Sequence, residues 1–229
     1  MGQIAPEVSG TVAARLAYQE GDFETAFALW QAAAELGDAD AQCWLGSIYA
    51  NGEGVEPNYA KALEYYVAAA EKGNHMAQAN VGAFYFMGHG SEQNVRKAVY
   101  WLSAAAEGGD VNGLFNLAVL YSKGEGVDMN APRAAELYRA AAERGHYPSQ
   151  SRLGYIYAQG LGVTKDRVQA YLWLSLAAQH GIGTALGALE EIVGEMSAEE
   201  KAQGIRAFED WRARTRQDGV PAVLNPMPS

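Results

Sequence analysis

The chain has 229 residues, about half of them hydrophobic and a fifth charged, which reads as a folded soluble domain rather than a disordered segment. Acidic residues outnumber basic ones, 27 against 17, for a formal charge of −10. That balance argues against nucleic acid or an anionic membrane surface as partner, because both need clustered Lys and Arg. No run of eighteen apolar residues is present, so membrane insertion is not expected.

The chain opens with MGQIAPEVSG, which has neither a basic start nor an apolar core of signal-peptide length. The expected compartment is the cytoplasm for the chain as given, or the periplasm or exterior if a leader was removed. Pro6 stands where a myristoylation site wants Ser or Thr. Residues 1–10 are expected to be a flexible N-terminus. A short helix pair follows over 11–40, with a tight turn at Glu20-Gly21-Asp22 and then Leu29-Trp30, Ala33-Ala34 and Gly37.

From residue 41 the chain repeats itself every 36 residues, in four ungapped units: 41–76, 77–112, 113–148 and 149–184. Tyr recurs at Tyr49, Tyr85, Tyr121 and Tyr157. A Gly-x-Gly pair recurs at Gly52/Gly54, Gly88/Gly90, Gly124/Gly126 and Gly160/Gly162. Alanine pairs recur at Ala69/Ala70, Ala105/Ala106, Ala141/Ala142 and Ala177/Ala178, and each unit closes near Gly73, Gly109, Gly145 or Gly181.

The residues before each Tyr have apolar positions at helical spacing and define a first helix, A. Gly46, Gly82, Ala118 and Gly154 lie in its middle, where glycine costs about 1 kcal/mol relative to alanine. Such a residue is explained if a neighbouring helix comes close. The Gly-x-Gly pair ends helix A. Asn58, Asn94, Asn130 and Asp166 are N-cap residues that begin a second helix, B. Helix B carries bulky core positions at Tyr65/Tyr66, Trp101/Leu102, Leu137/Tyr138 and Trp173/Leu174.

Past the repeats, Leu186, Leu189, Ile192, Val193 and Met196 form another A-like helix. Ser197 and Glu200 have the spacing of a capping box. The helix after them is expected to cover the last repeat with Ala198, Ala202, Ile205, Phe208 and Trp211, so that 185–216 makes a capping helix pair. Residues 217–229 are expected to be a flexible tail, with its stretch Val220–Leu224 considered as a ligand for the chain's own groove.

The pattern Ala41-Gln42-x-x-Leu45-Gly46-x-x-Tyr49-x-x-Gly52-x-Gly54-Val55, followed by Ala62 and Ala69-Ala70-x-x-Gly73, resembles the Sel-one-like repeat. That family is a relative of the tetratricopeptide repeats, and the resemblance covers about residues 14–216. It implies an all-α fold, a right-handed solenoid of about five to six antiparallel helix pairs. It also implies a non-enzymatic adaptor or scaffold in bacterial signalling or envelope regulation, with no cofactor and no shared catalytic residues. Two other readings stay open: a cell-envelope glycan-binding or hydrolytic protein on the same scaffold, and an architectural subunit of a larger complex. The chain lacks the paired cysteines that staple each repeat in some exported members.

In the tetratricopeptide relatives helix A lines a concave face. By position, that places the columns of Cys43, Ser47, Ala50 and Asn51, with their equivalents 36 residues apart, toward a groove. Its middle is apolar. The candidate partner-binding residues are Phe86, Met87, Phe115, Val119, Tyr155, Lys123 and Gln159, for a protein or peptide read through aromatic anchors. The blander reading of these side chains is that they pack on one another between repeats. His75, His146 and His180 are placed near helix B ends, and no metal-ligand spacing links them with His89. Cys43, the single cysteine, is expected as a small apolar filler.

Overall fold

The computed structural model describes residues 10–217, and every regular element among them is an α-helix. The expected N-terminal segment 1–10 and the tail 217–229 lie outside the described residues, except that Gly10 opens the first helix and Gln217 ends the last. Twelve helices are described: α1 (Gly10–Gln19), α2 (Phe23–Glu35), α3 (Ala39–Asn51), α4 (Tyr59–Glu71), α5 (His75–Met87), α6 (Val95–Glu107), α7 (Val111–Lys123), α8 (Ala131–Glu143), α9 (Tyr147–Gln159), α10 (Arg167–Gln179), α11 (Gly183–Glu195) and α12 (Ala198–Gln217). Odd-numbered helices are A helices, and even-numbered ones up to α10 are B helices. The chain divides into two compact units, one up to Gly108 and one from Gly109 onward.

Each repeat closes through the same contacts. The side chain of Asn58 accepts from Lys61 N at 3.0 Å, Asn94 from Lys97 N at 3.0 Å and Asn130 from Arg133 N at 3.0 Å. Asp166 accepts from both Val168 N and Gln169 N. These side chains satisfy amides that the first turn of a helix leaves unpaired. The backbone N–H of the same four residues donates to the carbonyls of Tyr49, Tyr85, Tyr121 and Tyr157, tying the end of helix A to the start of helix B. A further set of caps was not read from the sequence. Asp38, Asn74 and Asp110 cap α3, α5 and α7.

The loop glycines do two different things. Gly88 is the C-cap of α5 at φ +74°, a left-handed position that glycine enters without steric cost. Gly90 has φ +71°, and a Cβ there would also lie 2.3 Å from the carbonyl oxygen of Tyr59. Its loop therefore sits directly on the first turn of the preceding B helix. Gly162 sits equally close to Ala131, and Gly54 close to Phe23.

The mid-helix glycines are explained by close approach. A Cβ at Gly46 would meet the ring of Tyr66 at 2.6 Å, one at Gly82 would meet Leu102 at 2.6 Å, and one at Gly154 would meet Leu174 at 2.6 Å. In the first unit the core runs from Trp30, stacked on Trp44 with centroids 4.7 Å apart, to Tyr66, Val81 and Phe84. Cys43 is fully buried there as apolar filler. In the second unit, α11 joins α10 and α9 through Ala185, Ile192 and Met196.

The capping box forms as expected: Ser197 N donates to Glu200 Oε2 at 2.7 Å, and Glu200 N to Ser197 Oγ at 3.2 Å. These bonds, the backbone one first, hold the Glu200 carboxyl below its ordinary pKa. The expected buried face of α12 needs correction. Ala202 is exposed and Ile205 is 45% exposed. The helix docks on α10 through Gly204, which meets the ring of Tyr171, and through Trp211, edge-on to Trp173 at 4.7 Å. Trp211 thus lies on the docked face as expected, while Gly204, which has no hydrophobic weight in a periodicity reading, stands where Ala202 and Ile205 are expected.

Candidate functional site

Helix A residues spaced by four share one face of their helix. On α7 that face carries Phe115, Val119 and Lys123, and on α9 it carries Ser151, Tyr155 and Gln159. Phe115 and Tyr155 come together in a cleft of about 320 Å³. Pro148, Leu174, Ile182 and Ala188 complete its apolar wall, and Ser151 and Thr184 add hydroxyls. Arg152 is the only charged side chain lining it. Tyr155 is 48% exposed at the mouth of this cleft.

Phe115 has a double attachment. Its ring is half-buried and meets Tyr138 at 5.7 Å and His146 at 5.1 Å, both edge-on. Tyr138 is buried, which raises its phenol pKa. His146 occupies the N-cap position of α9, where Asp38, Asn74 and Asp110 stand in other A helices, yet its side chain makes no capping bond. Its Nδ1 lies 2.8 Å from Ser149 Oγ. Burial lowers its pKa to about 4, so the imidazole is neutral at physiological pH.

The histidines follow the ends of B helices as expected, His75 after α4, His146 after α8 and His180 after α10, but the first two belong to the start of the next helix. His75 is the first residue of α5 and His146 the N-cap of α9, so both stand at helix N-termini, where the dipole disfavours a cation. His180 alone is a C-cap, on α10, and stacks on Tyr147 at 3.6 Å. Among the described residues, no group of three or more His, Cys, Asp or Glu is placed to hold a metal ion. No described helix is long and apolar enough to cross a membrane.

Other expected groove residues are distributed differently. Phe86 and Met87 end α5 in the first unit, Phe86 half-buried and Met87 50% exposed. Lys123 pairs with Glu125 at 3.7 Å on the surface. Val119 is half-buried and Gln159 exposed, and neither lines the cleft. Several positions placed toward a groove are interior: Cys43, Ser47, Ala50, Ala79 and Ala158 are all buried. The reason is packing, since α3 touches both α2 and α4, and α9 touches α8, α10 and α11, which leaves little free circumference.

The pattern of the Sel1 repeat matches five consecutive stretches, 12–38, 39–74, 75–110, 111–146 and 148–182. The chain belongs to the Sel1 repeat family. Its structure is similar to that of a protective antigen of uropathogenic Escherichia coli strains that displays an SLR fold, with TM-score 0.80 and 32% identity over 91% of this chain. This chain spans about half of that antigen, 48% of its length. A Sel1 repeat protein from Oxalobacter formigenes matches with TM-score 0.75 and 27% identity, over 91% of this chain and 84% of its own. One from Klebsiella pneumoniae shares the fold at TM-score 0.53 and 20% identity, over 80% of this chain and 91% of its own. No curated protein matches the chain significantly. The α-solenoid repeat class expected from the sequence is thus the fold of this Sel1 repeat protein, and family members are generally repeat scaffolds without catalytic function.

Proposed function

We propose that this Sel1 repeat protein is a non-enzymatic adaptor that holds a segment of a protein partner on its A helices, with the Phe115–Tyr155 cleft as anchor site. The observation that carries this reading is the half-exposed Tyr155 beside Phe115 in an apolar cleft of about 320 Å³. A cleft of that size, near the lower end of the range for ligand pockets, suits one large apolar side chain. Arg152 at its wall favours an acidic residue next to that anchor. Val119, Lys123 and Gln159 extend the contact along the same two helices, while Phe86 and Met87 offer an apolar contact of their own in the first unit. Bacterial signalling or envelope regulation is the setting we assign by family resemblance.

Ser151 is half-buried on α9 at the cleft wall, so Ser151→Trp places a bulky side chain in the cleft. Affinity capture from source-cell lysate, read by mass spectrometry, compares this variant with the unaltered protein. A protein captured by the unaltered chain and lost with the folded variant supports the adaptor reading and its site. A partner kept by both moves the site elsewhere, and no partner in either arm counts against the adaptor.

A further inference from the structure

A second cleft in the second unit is lined by other residues. It has a volume of about 610 Å³ and is lined from α8, α9, α10 and α12. Four charged side chains line it: Arg139 and Glu143 from α8, and Asp210 and Arg214 from α12. Opposite charges gathered in one cleft ordinarily pair, yet none of the ion pairs among the described residues joins any of these four. Arg139 donates instead to the Tyr157 hydroxyl and lies over the Tyr157 ring, and Arg214 lies 5.2 Å over the Trp211 ring. Each cation is thus parked on an aromatic face, and each carboxylate is left to solvent.

Beneath the cleft lies a buried, unsatisfied donor. Trp173 is 3% exposed and lines it, and its indole N–H has no acceptor in the described chain. A buried donor left without a partner is costly, and native structures rarely keep one without cause. Two of the residues that make this cleft depart from the repeat, whereas Tyr157 and Glu143 recur in it. Arg139 stands where the other units have Val67, Ser103 and Ser175, and Gln169 where they have Lys61, Lys97 and Arg133. Arg139 over Tyr157 takes the place of the contacts that Lys61 makes with Tyr49 and Lys97 with Tyr85.

We propose that this cleft binds a small zwitterion of the peptide class, a free tripeptide-sized molecule whose carboxylate meets Arg139 and Arg214 over the Trp173 indole and whose ammonium meets Glu143 and Asp210. The volume fits such a ligand, within the range of known small-molecule sites. Two cations and two carboxylates give a cleft with no net charge, which selects a ligand bearing both signs over one bearing either alone. A sugar is disfavoured because the aromatic faces of Tyr157 and Trp211 that would stack on it are already covered by guanidinium groups.

The test uses the full chain labelled with nitrogen-15, following the five indole N–H signals during titration with free tripeptides carrying alanine, leucine or tyrosine at the centre. The same tripeptides are run N-acetylated, amidated, and blocked at both ends. A saturable shift of the Trp173 signal is expected with a free tripeptide, with affinity about tenfold lower for each blocked end. Asp210→Asn, an exposed change, should abolish the penalty for N-acetylation, and Arg214→Gln should abolish that for amidation. An unmoved Trp173 signal with every free tripeptide overturns the proposal. So does equal binding of the doubly blocked forms, which would mark the cleft as an apolar surface notch.

Discussion

At the scale of single residues, glycine separates two physical demands that the sequence shows as one letter. Gly73 sits at φ +86° with open space around it, whereas Gly90 combines φ +71° with the carbonyl of Tyr59. Gly73→Ala should cost about 1 kcal/mol, the strain of a left-handed alanine. Gly90→Ala should cost about 3 kcal/mol, because backbone must also move. Urea unfolding of both variants checks this, and equal costs would show that the loop does not rest on the preceding helix. The glycine positions were legible from the 36-residue period, but this difference was not, since it depends on a neighbour 31 residues away.

His146 carries a second prediction at this scale. Its folded pKa is lowered to about 4 from an ordinary value of 6.5, through burial. Between those values the unfolded chain binds the extra proton, so stability rises with pH. The contribution is complete above about pH 6.5 and is lost as pH falls toward 4. Allowing for the partial exposure of the ring, it amounts to about 2 kcal/mol. His146→Asn should flatten the dependence of the urea midpoint on pH across that window. It should also add a capping bond like that of Asn74 to Ala77 N. An unchanged slope would mean the imidazole titrates normally in the fold.

At the scale of elements, most of the architecture could be read in advance because the same local signals recur four times. Asn58, Asn94, Asn130 and Asp166 mark helix starts by capping chemistry that needs no tertiary information. The N-caps of the A helices were harder to see, since Asp38, Asn74 and Asp110 give way to His146 and Ile182 in later units. The docking of α12 was only partly legible, through Trp211, because a glycine marks the rest of it. A Cβ at Gly204 would meet the Tyr171 ring at 2.7 Å. Gly204→Leu should lift α12 from α10 and destabilise the second unit by about 2–4 kcal/mol. Red-shifted tryptophan emission and fast amide exchange over 198–217 would report it. Ile205→Glu, on the exposed side, should stay within about 0.5 kcal/mol of neutral. The reverse ranking would restore the face expected from periodicity.

At the scale of the whole molecule, stacked repeats stabilise by contacts between neighbours, so a surface can vary freely only where no neighbour uses it. That is why the columns of A-helix positions read as groove from the relatives proved to be a mixture. Cys43, Ser47, Ala50, Ala79 and Ala158 serve the stack, while Tyr155 does not. Sequence position fixes which face of a helix a residue occupies, but the number of helices packed around it decides whether that face is free. Phe115 lies on the boundary, touching buried Tyr138 on one side and lining the cleft on the other. Two charge substitutions therefore separate stability from binding. Tyr155→Asp should leave the urea midpoint nearly unchanged and weaken partner affinity at least about tenfold, as expected of an exposed aromatic anchor. Phe115→Asp should lower both, costing about 3 kcal/mol of stability through a buried carboxylate and lost aromatic contacts. Unfolding curves and binding isotherms for the two variants distinguish the cases. If Tyr155→Asp destabilised the fold as strongly as Phe115→Asp, the cleft would be an unfilled seam of the core. If neither altered binding, the partner would engage a surface other than the second unit's A helices.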